Sequence, residues 1–409
     1  MSRLIRAVVA LIFLAALPAH AEKNLRRPPG TTRYAPMVAR LKALLAYDQN
    51  AGAHRMELSS IGQSVKGRDI WMVTLHEAAP AEAATPARPS PLPSPQAGEG
   101  PVTQDSAAGQ EAQPDDTGPS LGPTGEGWPK AGVGASPKKL FYLCRQHGHE
   151  PASTEGALAF IEKLVKAQPG SPLARDLQRV TVYIVPMANP DGAEAFLRHN
   201  AHDVDLNRDW LRQTQPETRA WLLAIKRIHP DLMTDQHELY PNDRRWDFTE
   251  TAGAASGADP GLVTMCVSTQ SVVQGAMQAE GFPTACHLIN DHHPARLAHR
   301  YGCVVAGIPT ILFETNRLTW LHRSVAARAA AHAQFMADVL RDLAGERDQL
   351  EAEARDWQIA HARNTLLASR KKGYQRVPPA PNSGEEDRPP TPNSGGVGEE
   401  TGAAEKTGE

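Results

Sequence analysis

The chain has 409 residues, 43 of them Lys or Arg and 46 Asp or Glu, for a formal net charge of -3 at pH 7. That length suits one large domain or two ordinary ones, because single cores stop growing near about 250 to 300 residues. The balanced charge leaves no polybasic field, which argues against nucleic acid or an anionic lipid surface as a partner.

The chain opens with Arg3 and Arg6, an apolar run over residues 7–17, and Ala19-His20-Ala21, the pattern of an export signal cleaved after residue 21. The run is shorter than the roughly 18 apolar residues a spanning helix needs. The expectation is therefore a mature chain starting at Glu22, periplasmic or extracellular, with no membrane span. Residues 69–75 and 140–144 read as strands. Between them, residues 78–138 are rich in Pro, Ala, Gly, Ser and Gln and nearly free of large apolar side chains, so they bury too little surface to offset their ordering entropy. They are expected to be a disordered insertion that lengthens a hairpin-like connection.

Further along, residues 152–165 and 217–228 read as helices, and residues 180–186, 232–234, 303–305 and 310–313 as strands. The alternation is that of an α/β sheet with helices on its faces. An Ala-rich helix is expected over 324–343, a charged helical extension over 346–377, and a disordered acidic tail with repeated Pro-Asn-Ser-Gly over 378–409. Of the four cysteines, Cys266 and Cys286 flank a helix-like stretch and form the favoured disulfide, while Cys144 and Cys303 read as buried free thiols. His287, His292, His293 and His299 read as a solvated His-rich loop.

The chemistry-bearing residues follow strand ends. His147-Gly-His-Glu150 runs from a strand into a helix start, with Pro151 suited to the first helical position; a turn there aims an imidazole and a carboxylate at one point, and zinc accepts both. Alone, this HxxE reads more readily as an exposed helix start whose glutamate favours the helix dipole than as a metal site; the segments downstream reverse that. Downstream come Asn189-Pro-Asp-Gly192, which reads as a tight turn, then Arg198-His-Asn200, Asp205-Leu-Asn207-Arg208, Asp235-Gln-His237 and Phe313-Glu314-Thr315. Glu314 closes an apolar strand, a place for a carboxylate only if it faces a polar site.

Taken in this order, these segments resemble the zinc carboxypeptidase family, whose best-known members are the digestive carboxypeptidases A and B. The likeness starts near Ile61-Gly-Gln-Ser-Val-Lys-Gly-Arg68, skips the insertion and reaches about Arg317. It implies a single α/β domain, a mixed, mostly parallel eight-stranded sheet flanked by helices, formed by 22–77 and 139–345 as a zinc peptidase domain. It also implies one Zn2+ per chain, held by His147, Glu150 and His237 with one position left for water, at the carboxyl edge of the strands.

By the same resemblance Glu314 is the general base and Arg198 stabilises the oxyanion. Asn207 and Arg208 grip the substrate's terminal carboxylate. Asp205 is the carboxylate behind His147, and Tyr301 is the candidate for the tyrosine that caps the substrate. His149 stands where the family most often has Arg or Asn, and no residue of the specificity pocket is assigned. The implied activity is hydrolysis of the C-terminal bond of a peptide bearing a free carboxylate. Relatives of the fold also act on cell-wall peptides or deacylate acylated amino acids; a non-catalytic peptide-binding module would typically have lost a ligand or the base, and all four are present. Nothing in the sequence fixes an oligomeric state.

Overall fold

The computed structural model describes residues 26–77, 137–241, 243–290, 295–317 and 323–372. The expected signal, the tail and all but the last two residues of the expected insertion lie outside them. Eight strands form one sheet: β1 (Met56–Gln63), β2 (Asp69–Leu75), β3 (Lys138–Cys144), β4 (Val180–Val185), β5 (Leu232–Glu238), β6 (Asp247–Ala252), β7 (Thr284–Ile289) and β8 (Thr310–Thr315). Their order is β1-β2-β4-β3-β5-β8-β6-β7. The central pairs β4–β3, β3–β5 and β5–β8 are parallel, as is β6–β7 at one edge, whereas β1–β2, β2–β4 and β6–β8 are antiparallel. The chain is thus a single α/β fold around a mixed, mostly parallel eight-stranded sheet.

The sequence dictates this centre. Residues 140–144 are buried without exception, as a strand covered on both faces must be. Alternation then divides the side chains between two cores. Leu140, Tyr142 and Cys144 join Val182, Ile184, Ile311 and Phe313 on one face. Phe141 and Leu143 join Val185 and Met233 on the other.

The helices are α1 (Tyr34–Asn50), α2 (Ala152–Val165), α3 (Pro172–Arg179), α4 (Pro190–Ala195), α5 (Pro216–Ile228), α6 (Pro260–Ala279), α7 (Val325–Leu343) and α8 (Arg347–Lys372). On the first face Phe160, Ile161 and Leu164 of α2 pack with Ala331, Phe335 and Val339 of α7. The two helices approach so closely at Gly156 that an added Cβ would lie 2.6 Å from the His332 Cβ. The second face is covered by α5 through Trp221, Ile225 and Ile228, and by Trp210, whose ring stacks on Trp221 with centroids 5.9 Å apart. Contacts divide the chain into units Met1–Gln358 and Ile359–Glu409. The first contains the sheet; the described part of the second is helical to Lys372. Among the described residues no helix is long and apolar enough to cross a membrane.

Several expectations change. The connection from β2 to β3 is not a hairpin, because β4 lies between them in the sheet. Residues 303–305 are not a strand: Tyr301–Ala306 is a π-helical stretch, and both neighbouring positions of β8 are already taken by β5 and β6. The run Asn189-Pro-Asp-Gly192 is the start of α4, where the Asn189 side chain accepts from the Gly192 amide at 2.8 Å. The favoured Cys266–Cys286 bridge is absent. All four cysteines are free thiols; Cys266 is buried beside the Thr310 carbonyl, whereas Cys286 is exposed on edge strand β7. In the His-rich loop, His292 and His293 lie outside the described residues, and His299 is buried rather than solvated.

Candidate metal centre

The centre forms where the parallel strands β3, β5 and β8 end. After β3 the chain turns sharply because Arg145 adopts a left-handed backbone, φ 59°, costly for a side chain of this size. Its buried guanidinium holds the turn by donating to the Gly148 and Thr32 carbonyls, each at 3.0 Å. Gly148 itself packs directly on Gly192 of α4; a Cβ at this position would fall onto the Gly192 backbone. Asn189 completes the brace, its Nδ2 donating to the Gln146 carbonyl at 3.0 Å. The Asn-Pro-Asp-Gly segment therefore supports the loop that carries His147 and Glu150.

Nδ1 of His147 lies 2.8 Å from Oε1 of Glu150. Nδ1 of His237 lies 2.9 Å from Oε2 of Glu150 and 3.0 Å from Nδ1 of His147. Among the described residues this is the one group of three His, Cys, Asp or Glu side chains whose donor atoms converge within 4.8 Å. Each ligand is held from behind. Nε2 of His147 meets Asp205 Oδ1 at 3.0 Å, Nε2 of His237 meets Asp235 Oδ2 at 2.9 Å, and Oε2 of Glu150 accepts from the Glu238 amide at 3.1 Å. Two imidazoles with their far nitrogens engaged, plus one carboxylate, fit a tetrahedral zinc ion with one open position.

Charge and burial are matched. Burial alone would raise Glu150, but His147 and His237 outweigh it and hold the carboxyl well below its ordinary value. Burial likewise opposes a charged His237, yet Asp235 and Glu150 keep the imidazole well above the usual range. Asp205, despite its burial, is held far down by His147 and Arg198. Burial lowers His149 strongly; its ring nitrogens make no hydrogen bond and it is not part of the converging group.

Parallel register sets Glu314 on β8 beside His237 on β5, on the same sheet face. Burial pushes its carboxyl up to about 8, against the pull of His237, and Oε2 has no hydrogen-bond partner. Arg198 donates from Nε to Asp205 at 3.0 Å, with Nη1 3.7 Å from Glu150 Oε1, so the guanidinium is aimed at the cluster. Asn207 Oδ1 accepts from the Ala298 amide at 2.9 Å, tying the 206–208 turn to the segment that precedes Tyr301. Arg208 is exposed, and its Nη1 reaches the Asn207 carbonyl at 3.0 Å.

An open cavity of roughly 200 Å³ collects His147, Glu150, Arg198, Asn207, Arg208 and Glu314. Tyr301 does not reach it. Its ring packs on Trp210, centroids 5.7 Å apart, and its hydroxyl accepts from Gln213 Nε2 at 3.4 Å. The tyrosine that lines the cavity is Tyr240, with the Arg198 guanidinium 5.2 Å from its ring centre. Sequence reasoning missed Tyr240, Asp235, Glu250 and His299. Asp235 had a signal: two residues before His237 on one strand, it shares that histidine's face.

This is an α/β protein with a buried two-histidine, one-glutamate cluster at the carboxyl edge of its parallel strands. Residues 41–222 match the zinc carboxypeptidase family model. Over that span the chain is similar to zinc carboxypeptidases; His237 and Glu314 lie beyond the matched residues. It is 31% identical over 117 residues to carboxypeptidase 2 of Trichophyton tonsurans, a match covering 29% of this chain and only 19% of that relative's length. In fold it resembles a metallo-carboxypeptidase from Burkholderia cenocepacia, with TM-score 0.53 and 21% identity over 75% of this chain and 69% of that one. It also resembles carboxypeptidase A of Helicoverpa armigera, with TM-score 0.51 and 15% identity over 83% and 81% of the two chains.

Proposed function

We propose that the chain is an exported zinc-dependent metallocarboxypeptidase that hydrolyses the C-terminal peptide bond of a substrate with a free carboxylate. One observation carries this reading: His147, Glu150 and His237 converge at a cavity whose wall also holds a buried carboxylate, Glu314, with an unpartnered oxygen. Zinc, when bound by the three ligands, supplies Lewis acidity that polarises a carbonyl and acidifies water.

The chain's own groups do the rest. Glu314 takes a proton from the attacking water and passes it to the leaving amine, a task suited to a carboxyl raised towards neutrality. Arg198, already in place beside Glu150, stabilises the oxyanion that develops only in the transition state. Arg208, exposed at the cavity rim, pairs with the terminal carboxylate while Asn207 holds the adjoining loop. Asp205 and Asp235 fix the imidazole orientations. Residues 1–21 carry the chain out of the cytoplasm.

The test compares wild type with Glu314→Gln, measuring bound zinc and the products released from a peptide library by mass spectrometry. Loss of single C-terminal residues by wild type, and a rate at least about 100-fold lower in the zinc-loaded variant, is expected. Equal rates in the two proteins would overturn the reading.

A further inference from the structure

Two of the four cysteines meet in the core, apart from the metal ligands. Cys266 of α6 and Cys303 of the π-helical stretch Tyr301–Ala306 are 0% and 2% exposed. Their sulfurs converge on one acceptor, the Thr310 carbonyl at the start of β8, at 3.9 and 3.6 Å, and each thiol also hydrogen-bonds with the other. Close packing holds Cys303 there. At Gly302 an added Cβ would fall on the Thr310 side chain, and the Gly302 carbonyl accepts from the Ile308 amide at 2.8 Å. The other two cysteines are engaged elsewhere. Cys286 on β7 donates to the Gln270 carbonyl at 3.4 Å, about one turn along α6 from Cys266. Cys144 ends β3, which β5 separates from β8.

The reduced pair is short of acceptors. A carbonyl oxygen has two lone pairs, and the Thr251 hydroxyl takes one of those of Thr310 at 2.8 Å. Both S–H groups then compete for the other, and the one left over turns onto the neighbouring sulfur. Oxidation to a disulfide removes both donors and leaves the carbonyl to Thr251. The two thiols are also unequal: the contact with Cys266 lowers Cys303 against its burial, while the same contact and burial raise Cys266. Cys303 is therefore the attacking sulfur.

We propose that Cys266 and Cys303 close into a disulfide by exchange with a disulfide oxidant, and that the bridge fastens α6 to the segment forming one wall of the cavity. The Cys303 thiolate attacks one sulfur of the oxidant and expels the other as a thiolate. The Cys266 thiolate then attacks the Cys303 sulfur of the mixed disulfide and expels the second. One S–S bond of the oxidant breaks and one protein S–S bond forms; the thiol protons pass to the departing thiolates, so the protein is oxidised and the oxidant reduced by the same electron pair. The mechanical effect follows from position. Leu297 and His299 line the cavity, and the Ala298 amide donates to Asn207, so tying Cys303 to α6 anchors that wall from behind. The proposal does not depend on the peptidase reading.

The experiment incubates the reduced full chain with oxidised and reduced glutathione in sub-denaturing urea, where the core opens transiently, until the thiol content is constant. Remaining thiols are blocked with N-ethylmaleimide. The chain is then cut without reduction by trypsin and a glutamate-specific protease, which separates Cys266 from Cys286 at Glu280, and the peptides are mapped by mass spectrometry. A Cys266–Cys303 peptide pair is expected, with oxidised wild type melting at least about 3 °C above the reduced form and Cys303→Ser showing no such difference. Free or only glutathione-capped Cys266 and Cys303 would overturn the proposal, as would a bridge from either one to Cys286 or Cys144. A bridge without any rise in melting temperature overturns the fastening role. If Cys303→Ser fails to fold, the wild-type map and the melting of its two redox forms decide alone.

Discussion

Asp235 shows how much of the centre depends on residues that never touch a substrate. Its Oδ2 meets Nε2 of His237 at 2.9 Å, and its Oδ1 accepts from Gln146 Nε2 at 2.6 Å. Gln146 Oε1 in turn accepts from the Trp210 indole at 2.8 Å. This buried chain fixes the imidazole so that Nδ1 faces the other ligands. Asp235→Asn removes the charge that favours Nε2–H and should weaken zinc binding about 10- to 100-fold, as read by competition with a chelator. An unchanged affinity would mean that the strand backbone alone orients His237. HxxE, the distal histidine and the strand-end glutamate were legible in the sequence because their order is distinctive. Tyr301 was drawn in by its position upstream of Glu314, but its ring belongs to the aromatic packing around Trp210. Tyr240 had no such marker: it follows the end of β5 and reaches the cavity only through the path of the chain beyond Glu238.

At the level of elements, the strands readable from sequence were those with apolar runs, at residues 69–75 and 140–144. β6 is almost wholly buried but its Asp-Phe-Thr-Glu-Thr-Ala sequence carries no such run, and β1 and β7 are largely exposed edge strands without that signal. The π-helical stretch at Tyr301–Ala306 was misread because a short apolar β-branched run does not distinguish strand from helix; the sheet's filled neighbours decide. The supporting role of α4 was also hidden, since a turn and a helix start share the same Asn-Pro-Asp-Gly signature. That role has a sharp consequence. With Gly148 pressed against Gly192, Gly148→Ala must displace either the metal-binding loop or the start of α4. The expected cost is at least about 1 to 3 kcal/mol of stability, together with loss of zinc retention on dialysis. A variant that melts like wild type and keeps its zinc would show that the two segments separate freely.

For the molecule as a whole, stability should depend on pH through carboxyl groups far from the cavity. Asp338 on α7 is fully buried; Oδ1 accepts from Gln334 at 3.1 Å, Oδ2 has no partner, and Arg341 stays 3.9 Å away. Burial pushes its carboxyl up to about 7, and burial raises Asp176 to about 6. In the unfolded chain both groups titrate near pH 3.9. Between these values the folded protein holds protons that the unfolded chain has released, so the contribution of these groups to stability falls as pH rises from about 4 to 7 and stays low above it. The depressed carboxyls of the metal centre act in the opposite sense, but they are common to wild type and Asp338→Asn and cancel in the comparison. The asparagine keeps a neutral side chain of the same shape. Its urea midpoint should match wild type near pH 4, and the gap should widen with pH to about 1 to 3 kcal/mol of added stability at pH 8. A gap that does not change with pH would mean that Asp338 is ionised in the folded protein throughout, with Arg341 near enough to compensate it.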